Sequence, residues 1–330
     1  MRKKRFLQLA LLLAGAVASA AVFAKPAPKR PAAKPPAPRP AAMAQATAGP
    51  AQSTHRRSPY VGAISADAAT GEVYFSDKAD AEAYPASVTK LMTALLVLED
   101  VKAGRYALDT RVTATPEVNY SEASWVGLRP GQSMTVDHLL AALLVNSAND
   151  AAIALAVNAS GSHAAFVERM NERARMLGMA RTRYFNANGL PPNPRKHYPW
   201  KEFNRTTAAD QLKLAREILK NHREILKYTS IKVRSAAETP VRDGAGNPYP
   251  LKNHNHVMMW DHRKVMNPDG SEAVDGLKTG YIDAGGSSIV LTGSRKGKRA
   301  IVVVLGSSTS DERDVQSARL MSDVLGAIAW

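Results

Sequence analysis

Short β-rich runs stand near both ends of this chain, with apolar positions at helical spacing between them. Val61 to Ser65 and Glu72 to Ser76 flank Asp67-Ala68-Ala69-Thr70-Gly71 and read as a hairpin. Val88, Leu91, Met92 and Leu95 then recur on one helix face, and Lys102 with Gly104 marks that helix's end. An extended piece at Arg111 to Thr113 and a turn at Gly127 to Gln132 precede a helix capped by Thr135, through Leu139, Leu140, Leu143 and Leu144. Polar residues from Asn146 to Asp150 separate it from a helix through Ile153, Leu155 and Val157. Ser162 and Thr207 cap two more, through Phe166, Met170 and Leu177 and through Leu212, Leu214, Ile218 and Leu219. Thr229 to Asp275 has no clear period. Strands at Gly276 to Gly280, Ser288 to Thr292 and Ala300 to Leu305 follow, then a helix from Ser317 to about Ala329. The order of elements predicts an α+β fold.

One helix start carries candidate chemistry. In Pro85-Ala86-Ser87-Val88-Thr89-Lys90 the serine and lysine share a helix face, their Cβ atoms about 5–6 Å apart. A neutral lysine there can take the hydroxyl proton and make the serine a nucleophile without histidine. The same residues also fit a capping serine beside a solvated charge, and the pattern alone does not separate the two.

Composition narrows the setting. The 330 residues are 45% hydrophobic and 22% charged, enough for one large domain or two small ones. The net charge of +15 suggests an anionic partner until it is located: eleven positive charges precede the first acid, Asp67, leaving +4 for the rest. A nucleic-acid surface on the body thus loses most of its support. With no cysteine, neither disulfides nor thiolate metal sites are available. Residues 1–24 have a basic start, an apolar run from Leu7 to Val22 and small residues up to Ala24, the pattern of a secretory signal. Cleavage after Ala24, cleavage after Ala20 or retention as an anchor all stay open, and each puts the body outside the cytoplasm. Residues 25–59, rich in Pro, Ala and Lys, lack the apolar side chains to offset ordering entropy. They read as a disordered basic linker, a solvated spacer or a weak contact to an acidic wall or membrane surface. The folded domain is expected over 60–330.

Two further motifs follow Ser87-Val88-Thr89-Lys90 in order: Ser147-Ala148-Asn149 between two helices, and Lys278-Thr279-Gly280 on a strand. Each occurs once. With these residues on these elements, the chain from about Tyr60 to Trp330 resembles the serine penicillin-recognising enzymes, in particular the low-molecular-mass penicillin-binding D-Ala-D-Ala peptidases. The resemblance implies a β-lactamase/transpeptidase-like fold, an antiparallel five-stranded sheet of N- and C-terminal strands flanked by a helical region. It implies a serine-type D,D-peptidase without cofactor or metal, acting on peptidoglycan stem peptides that end in D-Ala-D-Ala or are cross-linked, and inhibited by β-lactams. By it, Ser87 is the nucleophile, Lys90 the base and Ser147 a proton relay. Asn149 contacts the substrate backbone, Lys278 and Thr279 hold a carboxylate, Gly280 leaves room for substrate along the strand, and Tyr281 shares an oxyanion hole with Ser87. Lys90 needs burial and a second cation, Lys278, to stay neutral.

Other features are weaker. His254-Asn255-His256 has metal-like spacing but no third ligand in view and reads as a packing feature. Asn253, Asn255 and Trp260 match a polar stretch of the family expected to shape the cleft. Glu168 and Glu172 read as a solvated face, and the sequons at Asn119, Asn158 and Asn204 as chance. Many relatives carry a second β-rich domain and an amphipathic anchor; the chain's end about fifty residues after Gly280 reads as the shorter type, which includes endopeptidases. The rival readings are a class A-like β-lactamase, for which no loop glutamate stands out after Asp150, and a non-catalytic wall-binding module.

Overall fold

The computed structural model describes residues 56–329 except 120, 236, 241, 243 and 244. The signal and most of the linker read from the sequence lie outside the described residues.

The chain opens with β1 (Gly62–Asp67) and β2 (Val73–Asp77), then α1 (Lys90–Lys102), the small ladder β3 (Arg111–Thr113) with β4 (Ser133–Thr135), and α2 (Val136–Leu144). Helices α3 (Asn149–Ser160), α4 (His163–Met176), α5 (Ala208–Asn221) and the single turn α6 (Leu226–Thr229) follow. The aperiodic stretch holds β5 (Val233–Arg234), β6 (Leu251–Lys252) and α7 (His256–Met259). The chain closes with β7 (Val274–Ile282), β8 (Gly286–Arg295), β9 (Lys298–Ser307) and α8 (Ser310–Ile328).

The five long strands form one antiparallel sheet in the order β2-β1-β9-β8-β7. The N-terminal hairpin therefore zips onto the C-terminal meander, with Ile64 opposite Val303. Strands β8 and β9 are covered on both faces, which is why they read as unbroken apolar runs. Ile301, Val303 and Leu305 point to the helical side with Leu91, Leu95 and Leu140, while Ala300, Val302 and Val304 meet Met321, Val324 and Leu325 of α8. Helix α1 is enclosed on every side: Lys90 to Leu98 are all buried, so the candidate nucleophile and base sit at the mouth of the central helix. Among the described residues no helix is long and apolar enough to cross a membrane.

Two boundaries differ from the expectation. Helix α8 starts at Ser310, seven residues before Ser317, because Thr309 caps it by accepting the Glu312 N–H at 3.1 Å. Folded chain also begins before Tyr60: the Arg57 N–H donates to Gly306 and the Ser308 N–H donates to Arg57, stitching this segment to the end of β9. The caps at Thr135, Ser162 and Thr207 are as read. Asn204 is buried, accepting from the Phe185 and Asn186 N–H groups and donating to Thr89.

A loop at Asn186 to Leu190 passes behind the mouth of α1. Buried His163 supports it, accepting the Ala187 N–H on Nε2 at 3.1 Å. Burial pushes the imidazole down to about 4. The folded state thus keeps His163 neutral while the unfolded chain takes a proton below about 6.5, so stability falls as pH drops from there to about 4, by about 3 kcal/mol from this residue. Urea unfolding of the wild type and of His163→Gln across that range checks this. The variant should show the shallower pH dependence; equal slopes would remove His163 from the account.

Candidate active site

The turn before α1 is shaped for display. Ala86 has φ +48°, and Ala86 to Thr89 form a 3-10 turn that places Ser87 in a cleft of about 600 Å³. Two glycines allow the turn to sit where it does. A Cβ on Gly189, whose φ is +84°, would collide with the Ala86 carbonyl. A Cβ on Gly280 would lie 2.6 Å from the Pro85 carbonyl oxygen and 2.9 Å from the Ser87 nitrogen. The space that Gly280 leaves is therefore taken by the protein's own turn, which corrects the expectation that it makes room for substrate.

Lys90 is fully buried, and its Nζ has three polar neighbours: Ser87 Oγ at 2.8 Å, Asn149 Oδ1 at 2.7 Å and the Asn188 carbonyl at 2.7 Å. A neutral amine satisfies all three, with two N–H groups donated to the carbonyl oxygens and its lone pair accepting the Ser87 proton. Burial is the main force holding Lys90 well below the usual lysine range, and Lys278 adds to it while Asp150 opposes. Asp150 is buried and accepts the Val126, Leu128 and Ala151 N–H groups. Asn149 thus meets Lys90 on its oxygen side and the Glu122 carbonyl on its amide side, a tighter engagement with the protein than the expected contact to substrate.

Ser147 lies in the same cleft, almost fully buried with φ +59°, and no hydrogen bond joins it to either lysine among the described residues. Thr279, Gly280 and Tyr281 line the cleft as well. Lys278 is buried behind them, donates to the Thr279 carbonyl at 2.9 Å, and is pushed down to about 7 by burial and by Arg313. All eight residues singled out in the sequence converge on one place.

Arg313 and Asp314 were not singled out, while His254 and His256 were read only as a packing feature and Trp260 as shaping the cleft. Arg313 is buried to 4% exposure and donates from Nε to Asp314 at 2.8 Å. The other Asp314 oxygen lies 3.0 Å from His256 Nδ1, and Trp260 stacks on that imidazole at 3.9 Å. His254 lies near Lys278, and burial, with Lys278 adding to it, pushes the imidazole down to about 4. The polar stretch contributes to the cleft through His254 and His256, while Asn253 donates to the Thr229 and Ile231 carbonyls at the end of α6 and Asn255 accepts the Val257 N–H. Arg313 had a readable signal: Thr309-Ser310-Asp311-Glu312 is a capping-box pattern that puts Arg313 in the first turn of α8.

A serine hydroxyl against a buried lysine pushed towards its neutral form, N–H groups of the Ser87 turn beside β7, and a buried basic wall are an arrangement able to support acyl transfer. The sequence comparisons agree. Residues 51–309 match the D-alanyl-D-alanine carboxypeptidase family, and the chain belongs to that family. It is 32% identical over 254 residues to D-alanyl-D-alanine carboxypeptidase DacF of Bacillus subtilis, an alignment covering 76% of this chain and 58% of that protein. The structure of D-alanyl-D-alanine carboxypeptidase DacD from Francisella tularensis aligns with TM-score 0.69 at 28% identity, covering 79% of this chain and 69% of that one. Penicillin-binding protein D2 from Listeria monocytogenes, solved with ampicillin bound, aligns with TM-score 0.63 at 28% identity, covering 80% and 96%.

Asn149→Asp tests the lysine environment. A carboxylate in place of the amide oxygen 2.7 Å from Nζ favours the ammonium, so acylation by penicillin at pH 7 should fall by about a hundredfold and recover at higher pH. Stopped-flow acylation rates across pH measure this, and an unchanged profile would contradict it.

Proposed function

We propose that this chain is an extracytoplasmic serine D,D-peptidase of peptidoglycan stem peptides, working through an acyl-enzyme on Ser87. The observation that carries the reading is the buried Lys90 amine, 2.8 Å from Ser87 Oγ and held by two carbonyl oxygens. Ser87 attacks the carbonyl of the penultimate D-alanine as Lys90 takes its proton. The N–H groups of Ser87 and Tyr281 receive the oxyanion, and Ser147 passes the proton to the leaving amine. Lys278, Thr279 and Arg313 hold the carboxylate of the leaving residue, with the buried Arg313 guanidinium supplying a planar donor fork beside Lys278. Asn149 positions Lys90 and keeps one amide N–H for the substrate. Water then hydrolyses the ester. β-Lactams acylate the same serine and leave slowly. The leader read in residues 1–24 supports the location. The cleft admits both a terminal D-alanine and a cross-link, whose leaving residue also carries a nearby carboxylate.

Fluorescent penicillin should label the wild type and fail to label Ser87→Ala. Defined monomeric and cross-linked muropeptides should lose terminal D-alanine or be split at the cross-link, the first product marking a carboxypeptidase and the second an endopeptidase. An unlabelled wild type, or fast turnover of a chromogenic cephalosporin, would overturn the reading.

A further inference from the structure

At the end of the sheet away from Ser87, a groove of about 750 Å³ lies between the β1–β2 turn, the C-terminal part of α5 and the β8–β9 turn. Ser287 and Ser308 mark the cleft at one end of β8 and β9, and Gly297 and Lys298 line the groove at the other. The ten residues of β9 separate the two, about 30 Å at the rise of a strand. Cations dominate the groove's wall. Lys213, Arg216, Lys220 and Arg223 recur at intervals of three and four, a row along α5 and the turn after it, and Lys298 and Arg299 add two more from the start of β9. Two of the six meet a carboxylate: Lys213 lies 3.0 Å from Asp210, and Arg299 donates twice to Asp275 at 2.7 Å. Both acids in the wall are already engaged. Asp67 accepts the Ala69 and Thr70 N–H groups at 2.8 and 2.7 Å, and Glu217 pairs with Arg173 at 2.5 Å. Arg216 is held in place by donating to the Ala68 and Ala69 carbonyls at 3.3 and 3.1 Å, its guanidinium lying over Gly71, where a Cβ would collide with it. Arg216 and the exposed Lys220, Arg223 and Lys298 thus have no carboxylate partner among the described residues.

Like charges gathered on one groove repel one another, and a bound polyanion relieves that repulsion. The peptidase reading supplies such a polyanion: every uncut stem peptide ends in a free carboxylate, so a strand bearing many of them presents repeated negative charge. A membrane surface fits less well. Met176 is the one large apolar side chain strongly exposed along the groove among the described residues, and lipid docking needs an apolar face as well as basic residues. We propose that this groove is a second binding site for peptidoglycan, taking stem-peptide carboxylates on Arg216, Lys220, Arg223 and Lys298 while the cleft works on another peptide of the same polymer. The inference rests on the peptidase reading and adds to it a preference for polymeric over soluble substrate, because a tethered strand keeps its other peptides at high local concentration around Ser87.

The test uses the full chain and insoluble peptidoglycan sacculi freed of protein and of phosphate-bearing polymers. The wild type should sediment with the sacculi at low salt and be released as salt rises. Lys220→Gln, Arg223→Gln and Lys298→Gln combined should weaken this binding about tenfold and slow turnover of sacculi to match, while benzylpenicillin acylation and turnover of soluble muropeptides stay at wild-type rates. Sacculi whose carboxyl groups have been converted to amides should bind the wild type no better than the triple variant. Equal binding of wild type and triple variant, undiminished binding to the amidated sacculi, or retention on anionic-lipid vesicles in place of sacculi overturns the second site. A wild type that benzylpenicillin does not acylate overturns instead the peptidase reading beneath it.

Discussion

A primary amine held in a buried polar pocket is what the remainder of this site depends on. An ammonium out of water is costly, and the fold meets that cost by favouring the neutral form of Lys90. Burial does most of this, and Lys278 nearby raises the penalty for a second positive charge. Burial pushes Lys278 down in turn, and the Arg313 guanidinium adds to it. The row of basic groups thus runs from Arg313 through Lys278 to Lys90, where burial and the neighbouring Lys278 both favour the amine. Asp150 would undo the arrangement if it faced Lys90 without other partners. Its backbone N–H donors hold its oxygens instead.

Close packing of backbone on backbone delivers the nucleophile to that amine. The 3-10 turn at Ala86 to Thr89 is gripped between Gly189 behind and Gly280 on β7 in front, so Ser87 cannot move independently of either. The grip joins two regions far apart in sequence, the α1 mouth and the C-terminal strand. The five-stranded sheet makes this possible, because pairing β1 with β9 returns the end of the chain to its beginning. The same closure brings Arg56 and Arg313, 257 positions apart, to one cleft.

What was legible in the sequence was local. Thr135, Ser162 and Thr207 announce their helices because a cap acts within three residues. Ser87, Ser147 and Lys278 were legible as an ordered set because each motif occurs once and on a recognisable element. Arg313 was missed because a polar run before an apolar helix looks solvated, whereas here Asp314 and His256 let the arginine be buried. Arg56 was assigned to the linker by composition, and it is held at the cleft by the pairing of Arg57 with the end of β9 and by its own bonds to the Ser308 carbonyl. Gly280 was recognised but misread, since what faces a missing side chain is a tertiary fact.

The protonation state of Lys90 can be observed directly. Heteronuclear NMR of the protein labelled with ¹⁵N at lysine Nζ, assigned by a Lys90→Arg variant, reports whether that nitrogen is an amine or an ammonium. The account expects Lys90 to be a neutral amine at a pH where surface lysines remain charged. A Lys90 resonance that titrates with the exposed lysines near pH 10 would contradict it.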